Sequence, residues 1–210
     1  MSRRLLDLFC GAGGAAMGYS RAGFDVTGVD IRPQPRYPFA FVRADALTFP
    51  LDGVDAIHAS PPCEDHMQSR LYGQQAKGTA WILGAIRARL TESGRPWVIE
   101  NVPGAPMRAD LILCGCLFGL TVKRQRWFET SWHAFDLRSP CHHGVITPLF
   151  RPMHGPWYRL HGRVPTRREA AMAMGIDWMS GSEYRQAIPP AYTEHIGRML
   201  LAVLPQAAAS

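Results

Sequence analysis

The most constraining feature lies in the first thirty residues. An apolar run, Leu5-Leu6-Asp7-Leu8, breaks into Cys10-Gly11-Ala12-Gly13-Gly14 and restarts as a small-residue helical pattern that stops at Gly23. Glycines between a strand and a helix let the backbone approach a ligand and aim the first helical N–H groups at it. Acidic Asp30 follows at close to the ~20-residue spacing at which such turns set a carboxylate against ribose hydroxyls. Gly11-x-Gly13-x-x-Ala16 fits a dinucleotide site and a methyl-donor site equally well, and a plain tight turn remains the blander alternative.

The pattern then repeats. Residues 24–29 read as a strand ending at Asp30, 39–44 as one ending at Asp45, and 54–59 as one running into Ser60-Pro61-Pro62-Cys63. A polar stretch, 64–78, reads as a loop and 79–91 as a helix. Trp97 to Ile99 is a strand that ends at Glu100-Asn101-Val102. Strands alternating with helices imply an α/β domain with a mostly parallel, doubly wound sheet. After Gly119 the signal changes. Trp127 and Phe128 suggest a strand, 132–165 is rich in Pro, Gly, His and aromatics without a period, Thr166 opens a helix through Ala173 with Glu169 as its capping box, and Pro189-Pro190 opens a last helix to about Leu204. The expected organisation is 1–130, a small irregular insert at 131–164, and 165–210 returning to the first part.

Length bounds the chain to one such domain, and no stretch approaches the ~20 apolar residues of a membrane span. The start reaches Asp7 too soon for a signal peptide, so the expected compartment is a reducing cytoplasm, where the five cysteines stay as thiols, ligands or nucleophiles rather than disulfides. Residues 120–170 hold nine Lys/Arg and three acids, which accounts for the whole net charge of +6, together with five of the eight histidines. That concentration is the footprint of a nucleic-acid face.

Taken singly, the remaining features are ambiguous. Pro-Pro-Cys at a strand's carboxyl end presents one thiol from a rigid turn, or buries a cysteine. Glu100 is placed to act as an acid, or is one of many strand-end glutamates. Arg124 and Arg126 alternate onto one face, which a solvated basic edge would also explain. Cys114-Gly115-Cys116 and Cys141-His142-His143 bring zinc to mind, but C-x-C is not the common ligand spacing, and the cysteines sit in an apolar run. They are read as core residues, with no metal expected, and Cys10 as a packed residue behind the glycine turn.

Together and in this order the motifs resemble those of the DNA (cytosine-5)-methyltransferase family, in the compact form of small phage and actinobacterial enzymes. Asp7-Leu8-Phe9-Cys10-Gly11-Ala12-Gly13-Gly14 is similar to its cofactor loop, Ser60-Pro61-Pro62-Cys63 to its nucleophile turn, Glu100-Asn101-Val102 to its acid, and Arg124-x-Arg126-x-Phe128 to its arginine strand. Arg167 to Ala171 resembles its late helix and Gln186 to Pro190 its closing segment. The likeness spans roughly 1–130 and 165–204. It departs at Glu64, Val122 and Gln186, where the family often has Gln, Gln and Asn. The resemblance implies a Rossmann-like S-adenosylmethionine-dependent methyltransferase fold with a very small target-recognition insert. It implies Cys63 as nucleophile toward C6 of a flipped cytosine, Glu100 as acid at N3, Arg126 on the base O2 and Arg124 in support. Phe9, Gly11, Gly13, Asp30, Asp45, Pro62 and Gln186 would hold S-adenosyl-L-methionine. The implied partner is double-stranded DNA with a short GC-containing target, without a membrane; an RNA cytosine substrate and a silent nucleic-acid-binding module are the alternatives. An NAD enzyme fits less well, since nothing in it explains Pro-Pro-Cys or Glu-Asn-Val.

Overall fold

Each apolar run of the first hundred residues except the helical ones becomes a sheet strand in the computed structural model, which describes residues 2–62, 80–134, 141, 166–181 and 183–205. The strands are β1 (Arg3–Leu8), β2 (Phe24–Asp30), β3 (Ala40–Arg43), β4 (Ala56–Ala59), β5 (Trp97–Asn101), β6 (Leu111–Leu113) and β7 (Arg126–Thr130). The helices are α1 (Gly14–Ala22), α2 (Ala80–Glu92), α3 (Arg167–Met174), the one-turn α4 (Glu183–Gln186) and α5 (Pro190–Val203), with a 3-10 turn at Gly115–Phe118. The seven strands lie in the order β3-β2-β1-β4-β5-β7-β6. β3 to β5 run parallel, and β7 is antiparallel to both neighbours. The expected doubly wound, mostly parallel sheet is therefore the observed one.

Period-two alternation sorts the strand side chains between two faces. Leu5, Val26, Ala56 and Val98 face α1 and α5 through Ala16, Tyr19, Tyr192 and Ile196. Leu6, Leu8, Ile57 and Ile99 face Leu83, Ile86 and Leu90 of α2. α1 and α5 meet where Gly18 leaves no room for a Cβ, which would stand 2.1 Å from the Pro190 carbonyl oxygen and from Thr193 Oγ1. A third cluster seats Ala170, Ala173, Met174, Tyr184 and Ala187 on Ala12 and Val122. Trp178 Nε1 donates to the Ala12 carbonyl at 2.8 Å, so the C-terminal segment is tied to the glycine turn across 166 residues of sequence.

Local sequence signals set the helix ends. Thr166 caps α3 reciprocally with Glu169, and Pro190 starts α5. Three details differ from expectation. β5 runs through Glu100 and Asn101 rather than stopping at Ile99. β6 and the turn after it lie in an apolar run too short to show a period. Only Arg126 of the arginine pair belongs to β7, while Arg124 precedes it and is buried, so the two do not share one strand face.

Candidate active site

Parallel strands converge their carboxyl ends on one edge, where open α/β sheets bind ligands. β1 delivers the glycine turn there, β2 delivers Asp30, β4 delivers Ser60, and β5 delivers Glu100 and Asn101. β7 runs the other way, so its first residue, Arg126, arrives at the same edge. Phe128 lies directly opposite Glu100 in the register, which makes Arg126 the diagonal neighbour of Glu100 on the same face. Arg126 Nε stands 2.8 Å from Glu100 Oε1.

Glu100 is 6% exposed, and Ser60 lies beside its carboxyl. Burial raises its pKa above the usual carboxylate value, while Arg126, Arg124 and Ser60 pull it back; burial wins. Ser60 is itself held from behind. Its Oγ lies 2.9 Å from His58 Nε2, and His58 Nδ1 lies 3.0 Å from the Tyr19 hydroxyl. Desolvation lowers the His58 pKa from 6.5 to about 3, so the ring is neutral at physiological pH with one N–H and one lone pair. Tyr19, His58, Ser60 and Glu100 thus form one buried polar line ending at the acid. Sequence pattern points to Ser60 and Glu100 but not to Tyr19 or His58, because His58 stands inside an apolar strand and carries no motif. A polar residue within a buried run, Ala56-Ile57-His58-Ala59, was the available signal.

Asn101 Nδ2 donates to the Pro61 carbonyl at 3.2 Å, and Asn101 Oδ1 accepts from the Val102 amide at 2.9 Å. The two prolines and this side-chain link fix the turn that leads into Cys63. Cys63 and the loop 64–78 lie outside the described residues, as does most of the insert, including Arg138, Arg151, Arg159, Arg163, His142 and His143. Pro62 is half-buried beside Pro61.

The glycine turn is shaped by backbone angles that L side chains rarely adopt. Phe9 has φ +57°, Gly11 +49° and Gly13 +83°. A Cβ built on Gly11 would meet nothing within 4 Å, so the space there is open, whereas one on Gly13 would stand 2.8 Å from Pro38 and 3.0 Å from Tyr37, which cover that end of the turn. The Asp30 carboxylate closes the turn from the side, with Oδ2 accepting from the Gly11 amide at 3.0 Å and Oδ1 from Arg32 at 2.9 Å. A carboxylate has about four lone-pair sites, so capacity remains for two ribose hydroxyls. Asp45 accepts from the Leu47 amide at 2.9 Å and is otherwise exposed, two residues beyond the Arg43 that pairs with Asp30. Gln186 is exposed at the end of α4, beside Ala187, which packs near Ala12.

Behind the turn, Asp7 is fully buried, and neither of its oxygens nor the Tyr37 hydroxyl beside it has a hydrogen-bond partner among the described residues. Burial and then the charge of Asp30 raise the Asp7 pKa. Unpaired buried polar atoms next to an open glycine turn suit a polar ligand that completes them. The residues present therefore fit a nucleoside cofactor. Cys10 is buried and its thiol is pushed up by desolvation, which makes it a packed residue rather than a nucleophile. Glu129, also buried, is consumed structurally by a forked pair from Arg87 at 2.9–3.1 Å.

One expectation about the cysteines is corrected. Cys116 and Cys141 were expected to be separate thiols, yet their Cα atoms are 6.3 Å apart and their sulfurs meet as a disulfide. Twenty-five residues separate them, and only the tertiary path brings the start of the insert back to the turn after β6. Cys114 remains a free, buried thiol beside them.

The fold so described is a Rossmann-like, doubly wound one, and solved methyltransferases share it. The chain superposes on a protein described as a putative DNA modification methyltransferase encoded within an E. coli prophage, with a TM-score of 0.67 at 16% identity, covering 96% of this chain and 99% of that one. It matches the Spodoptera frugiperda DNMT2 mutant at TM-score 0.62 and 14% identity, covering 95% and 100%. The S. pombe Dnmt2 methyltransferase gives 0.61 at 15% identity, covering 95% and 98%. At these identities the likeness is one of fold. No protein-family model and no curated protein sequence matches the chain.

Proposed function

We propose that this protein is an S-adenosylmethionine-dependent DNA cytosine C5 methyltransferase with Cys63 as its nucleophile. The observation that carries the reading is the buried Glu100–Arg126 pair at 2.8 Å, set at the sheet edge beside the Ser60-Pro61-Pro62 turn. An NAD site needs neither part. A prophage DNA modification methyltransferase among the matching folds supports the same substrate class. The domain division proposed is a catalytic part at 1–130, a target-recognition insert at 131–164, and a closing segment from 165.

Cytosine C5 is too weak a nucleophile to be methylated directly. The Cys63 thiolate adds to C6 and turns C5 into an enamine-like carbon. Glu100, protonated, donates to N3 and absorbs the charge that this addition creates. Arg126 holds O2, and Arg124 supports the site from beneath. When bound, S-adenosylmethionine supplies an electrophilic methyl group on a sulfonium sulfur. Phe9, Gly11, Gly13 and Pro62 line its place, Asp30 takes the ribose hydroxyls, Asp45 the adenine amino group, and Gln186 closes over it. Once C5 carries the methyl group, loss of the C5 proton restores the ring double bond and expels the Cys63 thiolate. None of these atoms is reachable inside a stacked duplex, so the base is flipped.

The test is tritium release from 5-tritiated cytosine in DNA and in RNA, with methylation-sensitive sequencing of plasmid from expressing cells. Release from DNA and a covalent adduct with 5-fluorocytosine DNA are expected, both abolished by Cys63→Ser because an alcohol is scarcely ionised at neutral pH. A normal rate in the serine variant sinks the nucleophile assignment, and release confined to RNA sinks the substrate.

A further inference from the structure

We propose that Cys114, Cys116 and Cys141 form a thiolate site for one soft divalent cation, with zinc as the fitting ion, that pins the start of the insert to the arginine edge of the sheet. Their three sulfurs all lie within 4.8 Å of one another, from two chain segments. An ion with Zn–S bonds of ~2.3 Å in a tetrahedron spaces its sulfurs about 3.8 Å apart, so once the Cys116–Cys141 bond is reduced the three need only side-chain rotation to share one centre. A Cys116–Cys141 disulfide uses two of the sulfurs and leaves the third, Cys114, stranded beside it at 2% exposure. A cation uses all three and leaves the fourth corner to another donor.

The backbone supports this arrangement. Cys114 is extended, and the chain then folds sharply into the 3-10 turn, with the Leu117 amide donating to the Cys114 carbonyl at 3.0 Å and the Leu120 amide to the Gly115 carbonyl at 2.9 Å. Between the two cysteines, a Cβ on Gly115 would stand 2.2 Å from the Val122 carbonyl oxygen, so only glycine lets the turn close this tightly. This tight turn carries two of the three sulfurs, and Cys141 brings the third from a separate segment. The C-x-C spacing that spoke against zinc in the sequence is offset by the third sulfur, which no spacing rule could supply.

The place of the site gives it a consequence. Cys114 directly follows Leu113, which pairs with Arg126 in the β6–β7 register. Phe118, at the other end of the turn, stacks on Tyr192 with centroids 5.1 Å apart, and the Tyr192 hydroxyl donates to the Arg124 carbonyl at 2.7 Å. A cation bound here stiffens the turn that follows β6, which pairs with Arg126 of β7 and meets the Arg124 segment through Tyr192, while holding Cys141 of the insert. Opening the Cys116–Cys141 bond takes two electrons and two protons from a thiol or dithiol reductant, and binding of the cation to the three reduced thiols then releases their protons without further redox change.

The experiment uses the full chain purified in a non-thiol reductant. Elemental analysis should find about one zinc per chain. Chelator treatment should lower the thermal midpoint, zinc but not magnesium should restore it, and cobalt should give a thiolate charge-transfer band with intense tetrahedral visible bands. Cys116→Ser and Cys141→Ser should each lose the cobalt spectrum, and Cys10→Ser should keep it. Far-ultraviolet circular dichroism checks that each variant is folded, and the chelator arm tests the proposal on the unaltered chain. A folded, reduced protein that retains and takes up no ion overturns the proposal. So does a Cys116–Cys141 disulfide that persists in reductant without metal, or uptake unchanged in Cys116→Ser.

Discussion

Glu100 shows how one side chain acquires a chemical task from its surroundings. Burial favours its protonated form and Arg126 its charged form, and the net shift is upward. If it donates at N3, kcat/KM declines as rising pH passes through this raised pKa. Glu100→Gln should cut turnover on the order of 10²-fold or more, the usual scale of general acid–base terms, and remove that alkaline limb from the residual rate. Calorimetry should meanwhile show cofactor affinity nearly unchanged. Intact chemistry with lost cofactor binding would mean that Glu100 has another role. His58 carries the opposite sign. Its folded pKa is depressed to about 3, below the unfolded 6.5, so the neutral ring's contribution is complete above pH 6.5 and is lost as pH falls toward 3. Over that window the slope reaches at most ~1.4 kcal/mol per pH unit. His58→Gln should flatten the pH dependence of urea-unfolding stability between pH 6.5 and 4; an unchanged slope would place the acid sensitivity elsewhere.

At the scale of elements, two crossings set the site. β7 is antiparallel, which alone brings Arg126 to the edge where Glu100 ends β5. Arg87 of α2 grips Glu129 of β7 and keeps those layers in register. The α1–α5 crossing holds the glycine turn's helix in place. Gly18→Ala there sets two effects against each other. Alanine favours a helix by ~1 kcal/mol over glycine. The added Cβ, however, meets a backbone oxygen at 2.1 Å, and backbone cannot swing aside as a side-chain tip can. Overpacking of this kind costs about 1–3 kcal/mol, so the variant should be less stable in urea unfolding and lose several degrees in Tm. A more stable variant would show that the two helices separate freely.

The whole molecule carries its net charge of +6 within residues 120–170, on the arginine edge and the insert. An insert of this size can read few base edges, and its arginines suit the O6 and N7 acceptors of guanine. The expected target is therefore GC-containing and about two to four base pairs long, with affinity that falls steeply as salt rises, because counterions freed on binding then gain less entropy. Methylome sequencing and binding at several salt concentrations check this. A target of six or more defined bases, or binding indifferent to salt, would contradict it.

Much of this was legible in the chain. Period-two apolar runs, the Gly11–Gly14 turn, the Thr166–Glu169 capping box and Pro190 at a helix start are local signals, since each depends on residues within a few positions. They sufficed for a mostly parallel sheet and for the edge where Asp30, Ser60 and Glu100 gather. What the chain alone left open depends on distance in space. The reversed strand that pairs Arg126 with Glu100, the polar line from Tyr19 through His58 to Ser60, and the meeting of Cys114, Cys116 and Cys141 join residues from separate elements. Side-chain periodicity records which face a residue occupies, but not which element will cover it. Those partners are chosen only when the sheet order and helix packing close the core.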